Sequence, residues 1–549
     1  MDRNTLLAFF LIALVLVFTP YYMETFAPPP EPNVTSQDTT KITYTKKQTT
    51  PDPTIEKPPV FISKTNIPEK TFTVKTDLYT AIVSSNSGGT IRSITYNNYF
   101  YQDSSNIELI NADQEDNLLI KFINLDGESV DLRRGWSTSE QAGDIYIEST
   151  KYLNFEYLLP NGSIVKKTLS FHPDSYVIDI NTDLSDASQQ VFSGVYSLGW
   201  YGGLKPTEQN LKEDQTYFYS YAYLGGELED LKVGANESDS LFFNGAADWV
   251  AIRTKYFLAS LVPGENTSAV SSSIFGRFKE NEVYGASLFF PSSSPSNVSL
   301  YLGPLEYDRV QTVGKELSRV MNFGWGPIRP IAKGILYVLK KLNNYIPNYG
   351  FVLILFAIGV KLLVYPLTKK SYQSTAAMQQ LQPEISALRE KHKNNPQKLN
   401  QATMELYKAR GVNPLGGCLP MLLQMPLLLS LFIVFRSTIE LRAEPFVWWI
   451  KDLSAPDAVL SLPFSIPIYG SHVAILPILM VVSMFIQQRL MTGGAAQQAQ
   501  QKMMQYFMTA FFFLMFNTFP SGLNLYYTLF NVFSIIQQKL IPPTDPVKN

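Results

Sequence analysis

The stretch from Phe351 to Lys370, FVLILFAIGVKLLVYPLTKK, constrains this chain most. A helix needs about 18–20 apolar residues to cross a bilayer. Residues 349–368 supply that length with one charge inside, Lys361. A lysine at mid-helix costs roughly 2.5–3.5 kcal/mol on insertion scales. Two readings answer that cost. In one, Lys361 snorkels or forms a structural ion pair. In the other, it is a functional intramembrane cation. The next lysine, Lys369, lies eight residues on, roughly 12 Å along a helix, which is a long reach for one lysine stem.

The rest of the chain divides around this span. At 549 residues it is too long for one core. A net charge of −2 gives no footprint of a nucleic-acid binder. The single cysteine, Cys418, leaves no intrachain disulfide. The apolar run from Asn4 to Phe18 follows Arg3. Its one small-residue cleavage candidate, Thr25-Phe26-Ala27, is followed by Pro28, which disfavours cutting. Residues 1–22 therefore read as a retained signal anchor. Residues 23–69, with prolines at 28, 29, 30, 32, 51, 53, 58, 59 and 68, read as an extended linker.

Residues 70–322 change character. Short alternating segments such as FTVKTD, LYTAIVSS and GTIRSITY are separated by turn signals. Pro160-Asn161-Gly162 between two such runs predicts a hairpin. Segments YVIDINTDL, WVAIRTKYFLASLV and VSLYLGPLEY continue the pattern. The expectation is a large antiparallel sandwich. Trp200-Tyr201-Gly202-Gly203 admits two readings: a core plug at a turn, which is the commoner, or a platform for a sugar ring. Residues 323–348 predict an amphipathic helix, with Ile331, Ile335, Leu336, Val338, Leu339 and Leu342 mainly on one face. It lies either on the membrane surface or against the base of the sandwich.

Between Lys369 and Arg410 stand eight Lys/Arg against three acids. Basic loops stay cytoplasmic, so the sandwich is expected outside. Residues 369–415 read as a cytoplasmic helical hairpin. One of its apolar stripes is Met378, Leu381, Ile385 and Leu388, and the other is Leu399, Ala402, Leu406 and Tyr407. Four further spans are expected over 416–540, with the third helix of the bundle running from His472 to Leu490 and a tail over 541–549. The fold class that emerges is a polytopic α-helical membrane protein of six spans, five of them a core bundle, with a large exported all-β domain. Both termini are then cytoplasmic.

No P-loop, dinucleotide fingerprint, zinc-protease motif or nucleophile elbow is present. Neither a cofactor nor a metal site is expected, and the chain does not read as an enzyme. What the spans offer is Lys361 with uncharged polar companions: Gln424, Asn517, Asn524, Tyr526, Tyr527 and Asn531. No intramembrane Asp or Glu neutralises the lysine, which predicts a hydrated cavity. Three function classes fit: a polypeptide-handling membrane protein, a membrane-anchored carbohydrate-binding or polysaccharide-modifying protein built on the sandwich, and a solute transporter. The last lacks an inverted repeat and a coupling carboxylate.

Three ordered motifs resemble those of the YidC/Oxa/Alb membrane protein insertases. They are Val360-Lys361-Leu362-Leu363-Val364-Tyr365-Pro366-Leu367-Thr368-Lys369, Val412-Asn413-Pro414-Leu415-Gly416-Gly417-Cys418-Leu419-Pro420 with Gln424-Met425-Pro426, and Phe519-Pro520-Ser521-Gly522-Leu523 with Tyr526-Tyr527. The anchor and large exported domain resemble the Gram-negative bacterial branch. The resemblance implies a bacterial inner-membrane insertase and chaperone with a cytoplasm-open hydrophilic groove and a periplasmic β-supersandwich. Lys361 falls where the family commonly has arginine, and Gln424, Asn524, Tyr526 and Tyr527 fall on groove helices. Thr518 stands where tryptophan is frequent. The implied partners are nascent membrane proteins, the Sec translocon, the lipid bilayer and, through the 369–415 hairpin, the ribosome and the signal-recognition receptor.

Overall fold

The computed structural model describes residues 67–541, apart from 102, 111–115, 394, 413–418 and 493–498. The expected anchor, nearly all of the linker, the Asn413–Cys418 part of the second motif and the tail past Ile541 lie outside the described residues.

Alternation in the sequence becomes strand. Along Lys151–Leu158, Leu153, Phe155 and Tyr157 are buried and the residues between them are exposed. This strand pairs with Ile164–Phe171, Leu158 opposite Ile164, across the predicted turn. There the Gly162 N–H donates to the Leu159 carbonyl at 2.9 Å. The φ of Gly162 is 93°, a left-handed value that favours glycine. Three sheets result, of five, nine and six strands. The nine- and six-stranded sheets pack on each other through Ala247–Arg253 and Glu282–Pro291. The predicted sandwich is present, with one parallel pair among the described strands, Thr71–Lys75 beside Gly143–Tyr146. The segment WVAIRTKYFLASLV is two strands, Ala247–Arg253 and Phe257–Pro263. They turn where the Thr254 N–H meets the Phe257 carbonyl at 2.9 Å. Trp200 is the core plug: it is 2% exposed, and its indole N–H donates to the Gly203 carbonyl at 2.9 Å.

Eight longer helices follow: α1 (Ile328–Asn343), α2 (Tyr349–Gln380), α3 (Gln382–Lys391), α4 (Pro396–Ala409), α5 (Leu419–Ser437), α6 (Ile475–Thr492), α7 (Ala499–Phe516) and α8 (Ser521–Leu540). Helix α2 starts at Asn348, whose side chain accepts the Phe351 N–H at 3.2 Å. It continues twelve residues beyond Thr368 into the segment expected to begin a separate hairpin. Nothing at Lys369 stops it, because Pro366 is tolerated inside the helix. The hairpin stripes meet: Leu381, Ile385, Met378, Leu406 and Tyr407 form one small core with Ala377 and Val412, and Arg410 pairs with Glu384 at 2.8 Å. Helix α6 starts at Ile475 rather than His472, because Gly470–Ala474 pairs as a strand with Ala458–Ile466. Among the described residues, α2 is the one helix long and apolar enough to cross a membrane; Gln424–Ser437, Ile475–Leu490 and Tyr506–Phe516 are shorter apolar helices.

The two regions meet around α1. Its Ile335, Leu336 and Leu339 are buried, and α1 packs on α5. Lys340 on α1 pairs with Asp308 of the β domain at 2.6 Å and with Glu440 past α5 at 3.3 Å. Burial pushes the Glu440 carboxyl up, and the pull of Lys340 only partly offsets it. Arg442 is the second tie. It donates to Glu208 at 2.7 Å and to the Phe100 and Thr207 carbonyls at 2.9 and 3.3 Å.

Candidate functional site

Helices α2 and α8 pack against each other, and their contact seam is polar at two levels. In the middle, the Lys361 ammonium donates to Ser534 Oγ at 2.7 Å. Ser534 has its own O–H committed to the Phe530 carbonyl at 2.7 Å, so it presents a lone pair to the lysine. The ammonium also lies 4.4 Å from the Phe530 ring centroid and 5.8 Å from that of Tyr372, where ring faces attract a cation. Lys361 is 8% exposed. Among the described residues it forms no ion pair. Its contacts come from one hydroxyl and two aromatic rings.

Seven residues further along α2, Thr368 Oγ1 accepts the Gln537 side-chain N–H at 2.9 Å. At the other end, Asn524 is fully buried and donates to the Phe516 and Phe519 carbonyls at 3.1 and 3.4 Å. Tyr526 and Tyr527 are buried beside it. Tyr526 lies 5.9 Å from Phe356 of α2 and 5.9 Å from Phe530, and Tyr527 lies 6.0 Å from Phe516. Phe530 thus links the tyrosine pair to Lys361. Asn531 ties α8 to α6 through Ser483 at 3.2 Å. Among the described residues, the Tyr526 and Tyr527 hydroxyls, Asn524 Oδ1 and Gln537 Oε1 are buried and find no hydrogen-bond partner. Such groups are rare in a settled interior.

Lys361, Ser534, Phe530 and Tyr526 therefore share the α2–α8 seam, while Asn524 and Tyr527 turn toward the end of α7. Gln424 is half-buried on α5, and among the described residues no hydrogen bond joins it to either helix. Asn517 is a clip, holding the Tyr469 and His472 carbonyls at 2.8 and 2.7 Å and the Ala474 N–H at 3.1 Å. Ser534, Gln537, Thr368 and Phe530 escaped the sequence reading. Asn524, Asn531, Ser534 and Gln537 step by seven, three and three residues, the spacing of one helix face, and that stripe was the signal. Among the described residues, no group of three His, Cys, Asp or Glu is placed to hold a metal.

Residues 341–545 match the family described as 60Kd inner membrane protein, and residues 71–338 match the YidC periplasmic domain. A membrane protein insertase YidC of Chloroherpeton thalassium is 36% identical over all of this chain and 97% of its own length. The chain belongs to the YidC family of membrane protein insertases. A relative of the same description from Chlorobium limicola is also 36% identical, over 99% of this chain and 95% of its own. A crystal structure titled as an active YidC insertase with its first transmembrane domain resolved is similar over 84% of this chain and 90% of its own, at 16% identity and a TM-score of 0.35. The β domain is the YidC family's periplasmic domain, and the helices are its membrane core. The carbohydrate reading is not favoured: the tryptophan it relied on lies in the sandwich core.

Proposed function

We propose that the α2–α8 seam is where this insertase receives the polar segments of nascent inner-membrane proteins. The observation that carries the reading is the setting of Lys361, a buried cation whose hydrogen-bond partner is a hydroxyl rather than a carboxylate. A neutral acceptor holds an ammonium less strongly than a carboxylate does. An acidic or polar stretch of a passing chain is then able to displace Ser534. The unpaired Tyr526 hydroxyl beside Phe530, and the Tyr527 and Asn524 groups on the neighbouring side of α8, offer further donors and acceptors. The seam lowers the desolvation cost of the polar stretch, and the adjoining apolar span moves into lipid. No bond is made or broken.

In this reading the chain spans the membrane six times. Its termini and the α3–α4 hairpin are cytoplasmic. The hairpin meets the ribosome or signal-recognition receptor, and the Sec translocon is a second partner. The basic surplus over 369–410 supports that orientation. Gln424 belongs to a groove wall on α5.

The test is complementation of insertase depletion. Lys361→Ala should reduce insertion of substrates with acidic or polar external tails on the order of tenfold, the loss of one charge-assisted contact, at unchanged protein level. Lys361→Arg should restore it. Full insertion by the alanine variant would remove Lys361 from the mechanism.

A further inference from the structure

A cavity of about 790 Å³ lies where the β domain, the start of α1 and the end of α5 converge. It is separate from the α2–α8 seam. Arg253, Arg319, Arg329, Lys333 and Arg436 line it against two carboxylates, Asp230 and Glu316. Glu316 is already committed to Arg319 and to the Tyr223 hydroxyl. Arg253 gives its donors to the Thr254, Val320 and Lys255 carbonyls rather than to a carboxylate. Arg329 and Lys333 form no ion pair among the described residues: Arg329 donates to the Gly324 carbonyl, and Lys333 stands over the Tyr307 ring at 4.9 Å. Arg436 is held between the Tyr217 and Phe432 rings at 5.7 and 5.1 Å and pairs with Glu213 at 3.7 Å. The cavity is a cationic chamber with aromatic walls.

From this geometry we infer that the chamber binds the phosphate headgroup of an anionic membrane phospholipid. Guanidinium groups match phosphate oxygens with paired donors. The volume falls within the roughly 300–1,000 Å³ of sites that hold an organic ligand, so inorganic phosphate would leave most of it unfilled. The location supplies the tail's environment. Phe432 and Ile433 belong to the apolar helix α5. On the α1 side, Ile331 is 37% exposed and Trp325 68% exposed, on the same short stretch that carries Arg329 and Lys333. Amphipathic helices with such neighbours lie at headgroup depth. A lipid bound here would touch the β domain, α1 and α5 at once and fasten the periplasmic domain to the bilayer. This rests on α1 and the end of α5 lying at the outer membrane interface, and not on the role of Lys361.

The test uses the purified full chain in a neutral detergent, titrated with dioctanoyl phosphatidylglycerol, dioctanoyl phosphatidylcholine or inorganic phosphate, with binding read by calorimetry. Saturable binding of the glycerol lipid is expected, with much weaker binding of the choline lipid and no competition from phosphate at equal concentration. The triple variant R329Q/K333Q/R436Q should weaken it on the order of 100-fold, roughly two charge-assisted hydrogen bonds. Lys333→Gln alone, at a half-buried position, guards against misfolding and should weaken it about tenfold with an unchanged thermal midpoint. Undiminished binding by both variants would overturn the assignment. So would equal affinity for the choline lipid. Saturation by phosphate alone would assign the chamber to the free anion and overturn the lipid source, and displacement by an acidic peptide would assign it to a polypeptide. The Lys361 insertion assay is independent of all these outcomes.

Discussion

Among the described residues, two buried lysines lack a carboxylate partner, one in each region, and their settings differ. Lys167 lies in the sandwich on Ile164–Phe171, fully buried, and donates to the Ser87 and Leu118 carbonyls at 2.8 and 2.6 Å. Those acceptors are backbone and cannot turn away. Lys361 lies in the bundle and donates to one rotatable hydroxyl. Burial lowers the Lys167 pKa to about 7, and a neutral amine still has two N–H donors for its two carbonyls. Lys167 is a fastener whose hydrogen bonds survive loss of its charge. Lys361 is a charge held by a partner that can be exchanged. Burial is common to both lysines; the proposed role of Lys361 rests on the kind of acceptor it has.

The joint between the regions gives the largest expected effect. Arg442→Ala takes a charge-assisted hydrogen bond from half-buried Glu208 and donors from the Phe100 and Thr207 carbonyls, and should cost about 3–5 kcal/mol in all. It is read as protease cleavage of the chain between α5 and α6, and unchanged resistance would mean the regions hold together without this tie. Lys167→Met should destabilise the β domain by about 2–4 kcal/mol at pH 9, because two carbonyls lose their donors. Chemical denaturation of the full chain checks it. The wild-type domain should also lose up to about 1.4 kcal/mol per pH unit as pH falls from 10 toward 7. The sign follows from a folded pKa below the unfolded one: the contribution is full above the unfolded value and is lost as pH falls through the folded value. Lys167→Met should flatten that slope, and a slope unchanged in the variant would show that Lys167 stays charged. Lys361→Met should be the mildest for the fold, within about 1 kcal/mol of wild type, since Ser534 keeps its bond to the Phe530 carbonyl. A large loss there would make Lys361 a fastener too and erase the contrast.

Much of this was legible in the chain. The hairpin at Asn161-Gly162 was written in turn chemistry, the 378–407 stripes in helical spacing, and α2 in length and hydropathy. The hairpin over 458–474 was hidden, because its strands adjoin apolar helix and share its composition. The continuation of α2 past Lys369 was hidden because charged residues at an interface do not by themselves end a helix. At the site, Lys361 was legible from its cost in an apolar run. Ser534 was not, since a serine in a span has many uses. Lys167 also had a signal: Val165, Lys167, Leu169 and Phe171 alternate onto one face, so the strand period pointed the lysine inward.

By itself the sequence determined the division into a β domain and an apolar helical region, the placing of one cation inside a span, and the motifs that resemble the insertase family. These follow from local rules, because hydropathy, period and turn residues act over a few neighbours. Only the tertiary structure decided that Lys361 faces Ser534 and Phe530, residues about 170 positions away in the chain, and that five cations from distant segments gather in one chamber. Those contacts depend on how helices and sheets pack, which local composition does not encode.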